Sequence, residues 1–389
     1  MDKDKILSRT LLHILVSVYG VTCLWLYFRQ SIADLGTSVD GVIPFQSDLP
    51  LHISMVIEDH WYYSFTAYIY QILHWLCQGS TVGIAMFLAL VSVITIYVTE
   101  DLMVYLAGKK EKNWQTLLLA ISLNFVMPIF LRCVGEYRYV SYQSANIWHN
   151  STYICMKLAA LLTIHYYFRL EEKYKDGLTT REWLIFAFLN MICTGVKPSF
   201  LLAFSPIMGI CLLIDLLKGV SFSKIFIFGS AMLPSGLVLV WQQAVLFGED
   251  TGNGVALNPW FTFSLHCAKP KLAVICSVVF CALVVAFTFI KEYKDKKYIF
   301  ILAMAALGFL EALCLVEQGN RSVDGNFVWG YSFCLFMLFT MCVAKWFRLN
   351  RSKNQFALKL FLGLVYACHV YFGLYFFIKL AFGASYWMQ

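Results

Sequence analysis

What most limits this chain is a succession of apolar segments along its whole length, each long enough or nearly long enough to cross a lipid bilayer. An α-helix needs about 20 residues to cover the hydrocarbon core. Measured that way, about eleven spans fit, at roughly 7–28, 81–106, 115–131, 151–168, 183–196, 199–217, 224–247, 271–290, 298–316, 329–347 and 356–382. Only 14% of the residues are charged, against about 25% in a soluble domain. No stretch is hydrophilic for long enough to form a separate soluble unit, so residues 1–389 are expected to fold as one all-α polytopic membrane domain. The first run is longer than the core of a signal peptide and is read as a retained signal-anchor helix.

The charges that remain set an orientation. With the N-terminus inside, alternate loops hold Lys109, Lys110 and Lys112, the stretch Arg169 to Arg181, Lys218 to Lys224, Lys291 to Lys297, and Arg348 to Lys353. Each of these is rich in Lys and Arg. The opposite loops hold the acids Asp34, Asp40, Asp48, Glu58, Asp59, Glu136, Glu249, Asp250, Glu317 and Asp324. This is the positive-inside pattern, and it predicts an N-in/C-out topology. It also accounts for the net charge of +7 without a nucleic-acid partner. The thirteen Cys show no disulfide or zinc spacing and mostly sit inside apolar runs, as small hydrophobes do.

Two regions break the regular pattern. The span 183–196 has about 14 residues, or roughly 21 Å of helix, and runs into Gly195-Val196-Lys197-Pro198. Proline ends or kinks a helix and biases the residue before it towards extended backbone. Residues 183–217 therefore read as a broken hairpin with Lys197 at its tip, in the outer half of the bilayer. The other region is the first outer loop, 29–80. It contains an apolar stretch, 51–57, and a stretch dense in Tyr and Trp, 61–75, that suit helices lying at the membrane surface.

Four outer constellations can carry chemistry. In Ser47-Asp48-Leu49-Pro50-Leu51-His52, a helix puts Asp48 and His52 on one face. Asp48 is then either its N-cap, a general base for a hydroxyl, or both. The loop carrying Arg132, Glu136, Arg138 and His149 interleaves cations with aromatic residues, with Lys157 about two turns into the next helix. It fits a phosphate-and-sugar surface or an interfacial belt of ordinary ion pairs. Lys197 needs an anion, either a lipid-linked phosphate or an acid from another loop. In the late polar loop 317–328, Arg321 faces a phosphate or pairs with Glu317 or Asp324. Nucleotide-binding, serine-hydrolase and metalloprotease motifs are absent. No cofactor is expected; a divalent metal at the first-loop acids is possible, but no ligand spacing supports one.

The long acidic first outer loop, the helix total, the Lys197-Pro198 hairpin tip and the late polar loop together resemble the GT-C superfamily of membrane glycosyltransferases. The resemblance implies a sugar donor linked to polyprenyl phosphate and an acceptor that is a cell-envelope glycan or glycolipid. It implies a first-loop acid as catalytic base, with Asp48 leading, Asp40 and Asp34 behind it, and His52 alongside. Arg132, Arg138, Lys157, Lys197 and Arg321 become candidates for holding the lipid phosphate; Glu136, His149, Glu317 and Asp324 are further outer-face candidates. A bacterial plasma membrane is the expected location, with the endoplasmic reticulum as the alternative. Two other readings stay open: a Wzy-like polysaccharide polymerase, and a flippase or transporter of lipid-linked oligosaccharides with its substrate near Lys197.

Overall fold

The computed structural model describes residues 3–34, 43–247, 254–349 and 353–389. Asp40 lies outside the described residues. In chain order the helices are α1 (Lys3–Ser31), α2 (Leu49–Ile57), α3 (Phe65–Leu76), α4 (Val82–Leu106), α5 (Trp114–Leu123), α6 (Ser151–Glu171), α7 (Thr180–Val196) and α8 (Ser199–Leu217). Then come α9 (Phe222–Ser230), α10 (Leu233–Phe247), α11 (Phe261–Ser264), α12 (Pro270–Glu292), α13 (Lys296–Cys314), α14 (Val328–Arg348) and α15 (Lys353–Ala381). Among the described residues, eight helical segments are long and apolar enough to cross a membrane. The chain is a multi-pass α-helical membrane protein.

Helix α14 is the hub of the bundle. It is apolar on all sides, so it can be buried nearly all round, and it packs against α4, α8, α12 and α13. Glycines let its neighbours come close: a methyl at Gly330 would lie 2.7 Å from the carbonyl oxygen of Ser199. At the periphery, α1 presents Leu7, Leu11, Ile14, Val18 and Val21 as an exposed stripe at helical spacing. That stripe faces the lipid side of the bundle, where apolar side chains need no protein cover.

Three expected spans are built differently. The apolar run 115–131 is helical only as far as Leu123. Pro128 cannot donate a helical hydrogen bond and disfavours α backbone before it. The stretch 124–150 is irregular but largely buried. Irregular backbone inside a membrane protein needs protein partners, and this stretch has them. Met127 N donates to His369 O and Ile129 N to Cys276 O, both at 3.2 Å, and Tyr142 N donates to Ala273 O at 3.3 Å. The Asn146 amide donates to the carbonyls of Leu123 and Val126, each at 2.9 Å. Gly373 lets α15 cross this stretch, because a methyl there would sit 1.5 Å from Phe125 O.

The second difference is the span 224–247, which divides into α9 and α10, with Pro234 in the first turn of the latter. In the third, 298–316, the helix ends at Cys314 and the chain continues as β2 (Leu315–Glu317), which forms with β1 (Val255–Leu257) a two-stranded antiparallel ladder with Val255 opposite Glu317 and Leu257 opposite Leu315. It ties the segment before α11 to the late polar loop, which then makes a 3-10 turn over Gly319–Val323. Two short helices, α2 and α3, lie between α1 and α4.

Ion pairs lock the end of the bundle that carries the Lys- and Arg-rich loops. Glu100 of α4 is fully buried; it pairs with Arg9 at 3.1 Å and accepts from Thr116 Oγ1 at 2.6 Å. Lys345 reaches Glu292 at 2.5 Å and Asp295 at 2.7 Å. Lys175, Lys296 and Lys297 share one cleft with Glu171, Glu172 and Asp295.

Candidate active site

At the opposite end, three segments distant in sequence meet around Asp48. Asp48 stands at the N-cap position of α2, but its side chain makes no capping hydrogen bond. Asn150 supplies the reason. Its Oδ1 caps α6, accepting from Tyr153 N at 2.9 Å and from Thr152 Oγ1 at 2.8 Å. The amide nitrogen is thereby turned outward and donates to Asp48 Oδ2 at 2.7 Å. The Asp48 backbone N–H donates to His149 O at 3.0 Å, so α2 is pinned to the start of α6 by main chain and side chain together. The Tyr386 hydroxyl also hydrogen-bonds the Asp48 carboxylate.

These neighbours leave Asp48 poised near neutrality. Burial pushes its carboxyl up to about 6, partly opposed by the Asn150 hydrogen bond, the nearby Lys197 charge and Tyr386. Lys197 is the extended link between α7 and α8, with φ −160° and ψ 121°, the backbone expected of a residue before proline. Its ammonium donates to Thr152 Oγ1 at 3.2 Å and stands 5.0 Å from the Trp329 ring centroid. Burial brings it down to about 8, and Asp48 opposes that shift. A methyl at Gly195 would meet the Phe65 ring at 2.3 Å, so α3 packs directly onto the hairpin tip.

Both histidines of this cluster are neutral. His52 Nδ1 is 2.9 Å from Ser151 Oγ, and burial lowers its pKa to about 3, with Lys197 adding to the effect. Burial likewise lowers His149 to about 3. The His149 ring stacks on Tyr386 at 4.1 Å and 12° and meets Tyr139 edge-on at 4.7 Å. The segment 383–389 is strapped across this end. Ser385 Oγ donates to Gln46 Oε1 at 2.6 Å, Phe45 N donates to Gly383 O at 3.1 Å, and Trp387 packs on Tyr137 and Tyr139. Carboxylate, cation and aromatic rings thus gather at one end of the bundle. A carboxylate there can take a proton from a hydroxyl, a cation can neutralise a phosphate, and ring faces can hold a sugar.

The other candidates are placed elsewhere or are already engaged. Arg321 pairs with Glu317 at 3.3 Å and Asp324 at 3.5 Å, and Glu317 also accepts from Asn326 at 2.6 Å. Its charge nevertheless reaches Lys197. Arg138 lies between the rings of Phe130 and Tyr375, with Nε donating to Gln389 O at 3.1 Å. Arg132, Glu136 and Asp34 are exposed. Lys157 is buried below the cluster, 7% exposed, against Asn124, Asn146 and the Phe336 ring. Among the described residues no group of three or more His, Cys, Asp or Glu is placed to hold a metal.

Asn150 and Trp329 belong to polar outer stretches read from sequence, and Asn150-Ser151-Thr152 matches a glycosylation triplet, but none of them carries a site role there, and Tyr386 is not singled out at all. Asn150-Ser151-Thr152 before an apolar run is a legible helix-start signal; nothing local points to Tyr386. Asn150 is also buried, with its amide used on both sides, so its glycosylation-type triplet describes a helix cap. The chain matches no family model and no curated protein sequence.

Proposed function

We propose that the chain is a membrane glycosyltransferase that moves a sugar from a polyprenyl-phosphate-linked donor to a hydroxyl of a cell-envelope glycan or glycolipid, at the outer face of an N-in/C-out bundle. The observation that carries this reading is the placement of the Asp48 carboxylate, pushed up to about 6 by burial, within the field of the Lys197 ammonium and beside the rings of Tyr386, which stacks on His149, and of Trp329, which Lys197 faces. Asp48 accepts the acceptor hydroxyl's proton as that oxygen bonds to the anomeric carbon. The bond from that carbon to the phosphate oxygen breaks, and the lipid phosphate leaves with its electron pair towards Lys197. His52 and His149, both neutral, orient and stack; they do not compete for the proton. Arg321 acts through its field, since Glu317 and Asp324 occupy it.

Glycosyl transfer by purified protein in nanodiscs tests this. With a polyprenyl-phosphate-sugar and a suitable acceptor, Asp48→Asn is expected to lose about 10²–10⁴-fold in turnover, the usual range for a positioned base. Transfer at the wild-type rate in Asp48→Asn would remove the base assignment. One observation favours a second reading: Lys157, Asn124 and Asn146 form a buried polar cluster inside the bundle, as a transporter of lipid-linked glycans would require. Movement of such a glycan across liposomes, with no transfer from any donor, would replace the enzyme with that carrier.

A further inference from the structure

The buried stretch 124–150 closes over a small cavity that lies between α1, α4 and α6. Lys157 lines it, and the cation is held in an unusual way. Its ammonium donates to Asn146 Oδ1 at 2.5 Å and to Asn124 Oδ1 at 3.1 Å, and it stands 3.6 Å from the Phe336 ring centroid. Both amides are locked in the orientation that offers oxygen, because their nitrogens donate to backbone carbonyls. Two amide oxygens and a ring face favour an ammonium, yet no Asp or Glu pairs with it among the described residues. A buried cation without a counter-charge is costly.

The same cavity collects donors that lack acceptors. Ile147 and Trp148 line it, both are nearly inaccessible, and among the described residues nothing accepts from either backbone N–H. Such orphaned buried N–H groups are rare. Tyr19 lines it as well, and its hydroxyl is already engaged, accepting from Trp148 Nε1 at 3.2 Å and hydrogen-bonded to Cys23 and Ser92. The cavity measures about 20 Å³, where a single water needs about 10–15 Å³. One atom-sized ion fits; a tetrahedral phosphate does not.

We propose that this cavity binds one small monovalent anion, a halide such as chloride, held by the Lys157 ammonium and the N–H groups of Ile147 and Trp148. The anion neutralises the buried lysine and braces the segment that leads into His149 and Asn150. This site is independent of the glycosyl-transfer reading, and its test requires no substrate. Thermal unfolding of the full-length protein in detergent is measured in sodium chloride against sodium gluconate at equal ionic strength and pH. A saturable rise in melting temperature with chloride is expected, with bromide substituting and giving an anomalous peak beside Lys157 Nζ. Lys157→Met is expected to abolish the chloride dependence. If that variant does not fold, Asn146→Asp serves instead: it puts a carboxylate against the ammonium and is expected to abolish the chloride dependence as well. Coincident melting curves in chloride and gluconate, or a bromide structure with only water in the cavity, would overturn the assignment.

Discussion

Asn150 caps α6 with one end of its amide and holds Asp48 with the other, and replacing it separates these two duties. Asp at this position keeps the capping oxygen and is as good an N-cap as Asn. It also puts a second carboxylate where an N–H donor stood, 2.7 Å from Asp48 Oδ2. Two like charges at that separation repel by about 6 kcal/mol at an effective dielectric of about 20. That corresponds to about four pKa units, and relaxation and water entry will absorb part of it. A rise of about two units or more in the proton affinity of the pair is a conservative expectation. Asp48 already sits near 6, so Asn150→Asp would hold a shared proton at pH 7, and the acid limb of the rate profile would move to about pH 8 or above. Asn150→Ala should behave differently: it loses the cap at a cost of about 1–2 kcal/mol, seen as a lower melting temperature. The assay is initial transfer rate against pH for wild type and both variants, with thermal melts of each. Wild-type turnover at pH 7 in Asn150→Asp, with melting unchanged, would refute the base assignment and the shared geometry behind it.

The unmodified protein should show a bell-shaped rate profile. Turnover rises as Asp48 deprotonates through about pH 6 and falls as Lys197 loses its proton through about pH 8, and the falling limb should vanish in Lys197→Arg. Glu100→Gln leaves Arg9 without its buried partner and should lower stability by about 3–5 kcal/mol; the Arg9→Met, Glu100→Met pair should recover much of this in a melting assay. Gly195→Ala forces the Phe65 ring away from the hairpin tip. It should cost about 1–3 kcal/mol and weaken donor binding, measured as a raised KM at near-normal folding.

The helical ground plan was legible because the bilayer imposes one length scale and one polarity on every span. The hairpin tip was legible for a similarly local reason: Pro198 dictates the extended backbone of Lys197. The helix lost after Leu123 was not, because hydropathy alone cannot register how buried amides such as Asn146 replace helical hydrogen bonds with tertiary ones. Asp48 was visible as the start of α2, but its freedom from capping depends on Asn150, about a hundred residues away and joined to it only by tertiary packing. Arg138 and Arg321 show the converse. Their charge and outer placement suggested phosphate, whereas Gln389 in one case and Glu317 with Asp324 in the other take up the guanidinium. Tyr386 reaches the site through the path of α15, which no local pattern encodes.

The most direct measurement is a cryo-electron microscopy map of the protein in nanodiscs with a polyprenyl phosphate bound. We expect the phosphate density against Lys197 Nζ, beside Trp329 and facing Asp48. Density for the phosphate at Arg132 or Arg138 instead, with none beside Asp48, would contradict the central claim.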